Sequence, residues 1–224
     1  MIPVAAESSL LAALARGERR RAAAPEETCE LCAAPLAAEH RHLVDRTTAE
    51  LSCVCRACAL LFDRPAAALG NRRLVPEERR RILDFVLDEA AWEALAVPVG
   101  LAWFVDSTPA GGVRAAYPGP MGATESLLGL EAWDDLVRDN PVLASLEPDV
   151  EALLVRRTGG ATASSDVAEH WIVPIDACYR LVAVLRRHWK GLGGGREVWR
   201  AIDEFFDDLR TRSRSVDRRG EIRR

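Results

Sequence analysis

The stretch Cys29-Glu30-Leu31-Cys32, followed after a gap of 22 residues by Cys55-Arg56-Ala57-Cys58, decides the fold of the first part of this chain. A two-residue spacing lets both thiolates of a pair point inward from one tight turn, where N–H groups of the following residues can donate to the sulfurs. Two such turns complete a tetrahedron with metal–sulfur distances of about 2.3 Å. Between the pairs, residues 41–46 and 50–54 are short apolar-polar segments separated by Thr47, Thr48 and Ala49. They predict a β-hairpin that brings the second turn up to the first. So small a module has too thin a core to stand alone, and the metal would supply folding free energy directly.

Zinc is the expected ion. Iron is the competitor, since rubredoxin-type sites use the same spacing, but Ala33 and Ala59 follow the cysteines here where the usual rubredoxin turns place proline and glycine. Surplus donors lie close by. Cys53 precedes Cys55 by two residues and is expected to face the same side, while His40 and His42 lie near the first pair. Cys53 or His42 could replace one of the four, or the histidine could pack on the hairpin and the cysteine act as a small buried hydrophobe.

At 224 residues the chain can bury one good core beside a small accessory module. Hydrophobic residues make up 49% of it, and no uncharged apolar run approaches the roughly 18 residues that span a bilayer. In residues 1–24 the charges follow the apolar stretch, the reverse of a signal peptide. That segment predicts an amphipathic helix or arm with Leu10, Leu11 and Leu14 on one face and Ser8 or Ser9 as cap. A cytoplasmic location follows, with cysteines reduced or metal-bound instead of paired. The net charge of −4 gives no overall pull toward nucleic acid. The arginines gathered near both ends read as solvated, with residues 213–224 a basic flexible tail. Lys190 is the only lysine, so almost every cation is written as arginine.

Residues 25–64 form the zinc-ribbon-like module, residues 65–76 separate it, and residues 75–212 form the larger part. There, residues 80–87 suit a strand or a helix by periodicity alone, with strand preferred, 88–95 predict a short helix with Trp92 inward, and 97–105 a strand interrupted by Pro98 and Gly100. Gly111-Gly112 returns the chain as a hairpin partner through residues 113–117. YPGPMGATES, residues 117–126, predicts a loop from its glycine and proline content. A helix over 130–139 stops before Asn140-Pro141, because the residue before proline disfavours helical geometry. Strands over 150–158 and 170–174 are joined by the flexible TGGATASSD. Two helices follow, one capped by Asp176 and carrying Tyr179, Val182, Leu185 and Trp189, the other striped by Val198, Ile202, Phe205, Phe206 and Leu209. Strands followed by segregated helices, without a βαβ rhythm, indicate an α+β fold with a short antiparallel sheet and two C-terminal helices.

Catalytic patterns are weak. Cys178, near Asp176 and His170, sits in the first turn of an apolar helix and reads as a buried structural cysteine. Glu125, Ser126 and the acid pairs Asp134-Asp135 and Asp207-Asp208 show no base-orienter arrangement. No Walker loop, dinucleotide fingerprint or HExxH motif occurs. In HWKGLGGG, Lys190 precedes Gly193, Gly194 and Gly195 at the opening of the last helix, a candidate anion site or a plain helix-helix turn.

The segments CELCAAPL, EHRHLVD, CVCRACALLF, YPGPMGATES, PDVEALLV, WIVPIDACYRLV and HWKGLGGGREVW together resemble an uncharacterised family encoded beside genes for actinobacterial-type nickel-iron hydrogenases. The resemblance spans about residues 25–212. It implies a non-enzymatic accessory or assembly role, with a hydrogenase subunit or maturation factor as the protein partner. Only Cys29, Cys32, Cys55 and Cys58 carry over as metal ligands. The alternatives are a rubredoxin-like electron-transfer protein and a zinc-ribbon nucleic-acid-binding protein. The ribbon lacks the interleaved exposed aromatics that the last would use.

Overall fold

The computed structural model describes residues 27–63, 70–126, 130–158, 167–190 and 194–223. The expected N-terminal helix, most of the TGGATASSD connection and Gly193 lie outside them. The predicted hairpin is present: β1 (Arg41–Asp45) pairs antiparallel with β2 (Leu51–Val54), and His42 lies directly opposite Cys53. A short helix α1 (Arg56–Leu60) follows, then β3 (Arg72–Leu74), which adds to the other edge of β1. The stretch expected to be a mere separator thus supplies a third strand. Leu74 packs with the cysteine cluster and Val75 enters the main core, which gives these residues reason to leave the linker.

Strand alternation gives β1 two working faces. Leu43 packs beside Cys29, Val54 and Cys58. Val44 points the other way, among Trp103, Leu154 and Ile175 side chains of the larger core.

The larger part is built from β4 (Arg80–Ile82), α2 (Glu89–Ala94), β5 (Leu101–Ser107), β6 (Gly112–Gly119), β7 (Gly122–Ser126), α3 (Leu130–Asp139), a 3-10 turn (Pro141–Ser145), β8 (Glu151–Thr158), β9 (Val167–Pro174), α4 (Ile175–His188), α5 (Gly195–Arg212) and β10 (Arg214–Val216). The seven strands form one mixed sheet in the order β10-β4-β9-β8-β5-β6-β7. All neighbours are antiparallel except β10 and β4. The fold is α+β, and its sheet is larger than the short antiparallel one expected.

Helices α4 and α5 cover one face, where Trp171, Val173, Leu154 and Trp103 meet Cys178, Leu181, Phe206 and Leu209. The other face, with Phe104, Leu153, Val155 and Ile172, is covered by Trp92, Trp133, Leu136 and Leu143. Each fully buried side chain such as Leu209 or Phe206 contributes roughly 1.5–3 kcal/mol. β8 lies between these layers, which explains its unbroken apolar run Ala-Leu-Leu-Val.

Several elements differ from their sequence expectation. The strand expected over residues 80–87 is only three residues long; afterwards the chain leaves the sheet, Asn140 Oδ1 accepting from Val86 N at 2.7 Å. YPGPMGATES is not a loop, since Gly119 pairs with Gly122 and the segment turns tightly into edge strand β7. Pro118 is tolerated because the pairing of β6 with β5 ends at Ala116, so its missing N–H faces no ladder partner there. Asp176 lies in the first turn of α4 but does not cap it; the N-cap is Pro174. Residues 214–216 are not a flexible tail: β10 pairs with β4, and Asp217 is buried, accepting from the N–H groups of Arg219 and Glu221 at 2.9 Å.

Arginines near the C-terminal end are held by acids. Arg210 donates to both oxygens of Glu169, at 2.8 and 2.9 Å, fixing α5 to β9. Arg223 reaches Asp217 at 2.6 Å and Arg212 reaches Asp208 at 2.9 Å. Among the described residues, no helix is long and apolar enough to cross a membrane.

Candidate metal centre

The first cysteine pair is shaped by a tight turn in which Ala33 N donates to Cys29 O at 2.7 Å and Cys29 N donates to Ala34 O at 2.8 Å. Ala33 adopts φ 58°, the left-handed conformation that closes the turn. Glu30 docks this turn on the hairpin: its N–H donates to Cys53 O at 3.0 Å and its Oε1 accepts from Cys53 N at 2.7 Å. The second pair is shaped by helix initiation. Cys55 is the N-cap of α1, with its Sγ accepting the N–H of Cys58 at 3.4 Å, so the Cys-x-x-Cys spacing is one helical turn.

These two devices bring a sulfur from each of Cys29, Cys32, Cys55 and Cys58 within 4.8 Å of one another. Cys32 Sγ and Cys55 Sγ are 3.7 Å apart. A regular tetrahedron with radii of about 2.3 Å has edges of about 3.8 Å, so this separation fits thiolates around one ion. Cys29 is buried and Cys32 exposed, which places the group at the rim of the small core formed with Leu43, Val54 and Ala59.

The electrostatics point the same way. The backbone N–H of Cys55 lowers the Cys29 thiol to about 6, whereas the neighbouring Cys32 sulfur and then burial push Cys58 up to about 12. Sulfurs this close repel as thiolates, and a bound cation removes that repulsion. The four cysteines therefore form a group that could hold a metal ion, with every position of a tetrahedron filled by protein.

Cys53 and His42 do not join this group. The ladder ends at Val54, and Cys55 leaves it as a helix cap, so the two-residue alternation between Cys53 and Cys55 is broken. Cys53 instead gathers with His40 and His42, one donor atom of each lying within 4.8 Å of the others. His42 Nδ1 is 2.9 Å from Asp176 Oδ2. Sequence reasoning missed this separate cluster. Its signal was present in His40-x-His42 at the start of β1, with His42 opposite Cys53.

The catalytic candidates are dispersed. Cys178 is wholly buried against the helix-covered face, and burial holds its thiol well above the usual range. His170 lies with the opposite core, stacked on Phe85 with ring centroids 4.2 Å apart, and burial lowers it to about 4. Asp176 serves His42. Glu125 pairs with Arg114.

Lys190 Nζ donates to Glu197 Oε2 at 2.6 Å, so a carboxylate in the first turn of α5 already answers its charge. Gly194 and Gly195 have φ 76° and 72°. A Cβ on Gly194 would come within 2.8 Å of Val198 Cγ1 and 3.2 Å of the Trp189 ring, so close packing demands glycine there.

Comparison with curated proteins and with solved structures found no match. A family profile described as "Family of unknown function (DUF5947)" matches residues 28–213, a span that holds both cysteine pairs and every described strand except β10. This chain belongs to the DUF5947 family, whose function is unknown.

Proposed function

We propose that this protein is a non-enzymatic accessory protein whose first module is organised by structural zinc and presents a surface to a partner protein. The observation that carries the reading is the group of four cysteines whose sulfurs lie within 4.8 Å of one another, one edge of it measuring 3.7 Å. A tetrahedral all-sulfur set suits zinc or iron, and one with no open position for substrate is the structural type. Against an enzymatic role stand the burial of Cys178 and the stacking of His170 on the far side of the sheet.

Leu60 and Leu61, at the end of the helix that carries Cys58, are 65% and 62% exposed. Large apolar side chains held outward beside a metal-fixed turn suit a protein partner. The motif resemblance implies a nickel-iron hydrogenase subunit or maturation factor as that partner. Tagged protein is expected to co-purify with such a component from cells assembling the enzyme, and Leu60→Asp with Leu61→Asp is expected to abolish recovery. Failure to recover any hydrogenase component would sink the reading. Metal analysis of the purified protein is expected to give colourless, zinc-loaded material, whereas iron with thiolate charge-transfer absorption would favour electron transfer.

A further inference from the structure

We propose a second metal site in this chain, distinct from the four cysteines: His40, His42 and Cys53 bind a divalent transition metal of zinc's class, with Asp176 as a positioning residue. Two of the three side chains come from facing strands, and the third from the residue two before His42. His42 and Cys53 are register partners, and His40 precedes β1 on the side of His42. One donor atom from each lies within 4.8 Å of the other two, and the two imidazole rings are 4.8 Å apart between centroids.

The hydrogen bonds select the ligating atoms. His40 Nδ1 is 3.0 Å from the carbonyl oxygen of Ala37, which can only accept, so this nitrogen carries the proton. That leaves His40 Nε2 with a free lone pair, and Nε2 is buried with no hydrogen-bond partner on a side chain only 10% exposed. His42 Nδ1 faces Asp176 Oδ2 at 2.9 Å, which leaves its Nε2 as the donor to metal. Imidazoles that ligate through one nitrogen and donate the other N–H to a carbonyl or carboxylate are the usual arrangement at metal sites, where the acceptor fixes ring orientation and raises ligand basicity. A plain contact between β1 and α4 would account for His42 and Asp176. Strand pairing accounts for Cys53 opposite His42, but neither contact gives the buried, orphaned His40 Nε2 a partner.

Two imidazoles and one thiolate suit zinc, and three protein donors leave the fourth position to water or an exogenous ligand. The two groups thus differ in kind, one closed by four thiolates and one open.

The test is cobalt and zinc titration of the full chain, stripped of metal under reducing conditions. The native protein is expected to take up two ions. One should show the intense charge-transfer absorption of four thiolates, the other the weaker absorption of a single thiolate. His40→Ala and Cys53→Ser are each expected to bind one ion and keep the four-thiolate spectrum, which also reports that the hairpin is folded. Asp176→Asn, remote from the hairpin in sequence, is expected to weaken only the second ion, by about 10–100-fold. Saturation of the native chain at one ion would overturn the proposal. So would native affinity for both ions in Cys53→Ser, or in Asp176→Asn if the hairpin variants lose both ions through unfolding.

Discussion

Arg46 Nε donates to Asp149 Oδ2 at 3.1 Å, joining the loop of the cysteine hairpin to the turn that precedes β8. The Asp149 carboxylate is 1% exposed and also accepts from Thr108 N at 2.7 Å and Thr108 Oγ1 at 2.5 Å. Asp149 itself has φ 69°, a conformation that aspartate and asparagine tolerate better than other side chains. Asp149→Ala leaves a partly buried guanidinium unpaired and strains the turn, and is expected to cost about 3–5 kcal/mol. Asp149→Asn keeps the backbone preference and part of the hydrogen bonding, so it should cost clearly less. Urea midpoints for the two variants check this, and equal losses would refute it.

Cys29→Ser or Cys58→Ser removes one of the four sulfurs grouped within 4.8 Å. Each is expected to lower metal content at this group to near zero and to expose the amides of residues 27–63 to hydrogen exchange, because metal binding there is folding energy. Cys178→Ser buries a hydroxyl among apolar side chains and should cost about 1–3 kcal/mol while retaining the metal. Metal analysis with exchange mass spectrometry separates the cases.

His170 supplies the pH dependence. The unfolded chain protonates this ring near its ordinary value of 6.5, whereas the folded protein, burying it against Phe85, holds it to about 4. Between those values the unfolded state binds more protons, so stability falls as pH drops through the window. The loss approaches about 3 kcal/mol at pH 4, by the conversion of about 1.4 kcal/mol per pH unit. His170→Phe is expected to flatten the difference, and parallel stability-pH curves for the two proteins would exclude this cause.

At the opening of α5 the two kinds of residue should behave oppositely. Lys190 is 71% exposed in its side chain, so Lys190→Ala should change stability by less than about 1 kcal/mol. Gly194→Val meets both a positive φ and a 2.8 Å contact with Val198 Cγ1, and is expected to cost more than about 2 kcal/mol. Thermal melts of the pair suffice.

Local chemistry was legible in the sequence. The cysteine spacing, the alternation in β1 and β2, the Asn140-Pro141 stop and the stripe of α5 each rest on neighbours in the chain, and the structure keeps them. What was hidden depends on distant partners. β7 forms because β6 offers an edge to a glycine-rich segment, β10 because β4 is free on one side, and β3 because β1 has a second edge. The assignment of Asp176 as a cap failed for the same reason, since its partner His42 lies 134 residues earlier. Cys53 was misplaced by carrying strand alternation one residue past the point where the ladder ends.

Leu43 and Val44 are consecutive residues of β1, yet one belongs to the cysteine core and the other to the core under the seven-stranded sheet. A strand has no intermediate setting, because sliding it by one place exchanges its two sides entirely. The hairpin therefore reports in both directions. Disorder among the thiols is expected to withdraw Val44 from the larger core, and loosening of that core to disturb Leu43 beside the thiols. A chain with an unformed cysteine group is thus expected to present a different surface from a finished one, with the hairpin's contribution to the larger core withdrawn.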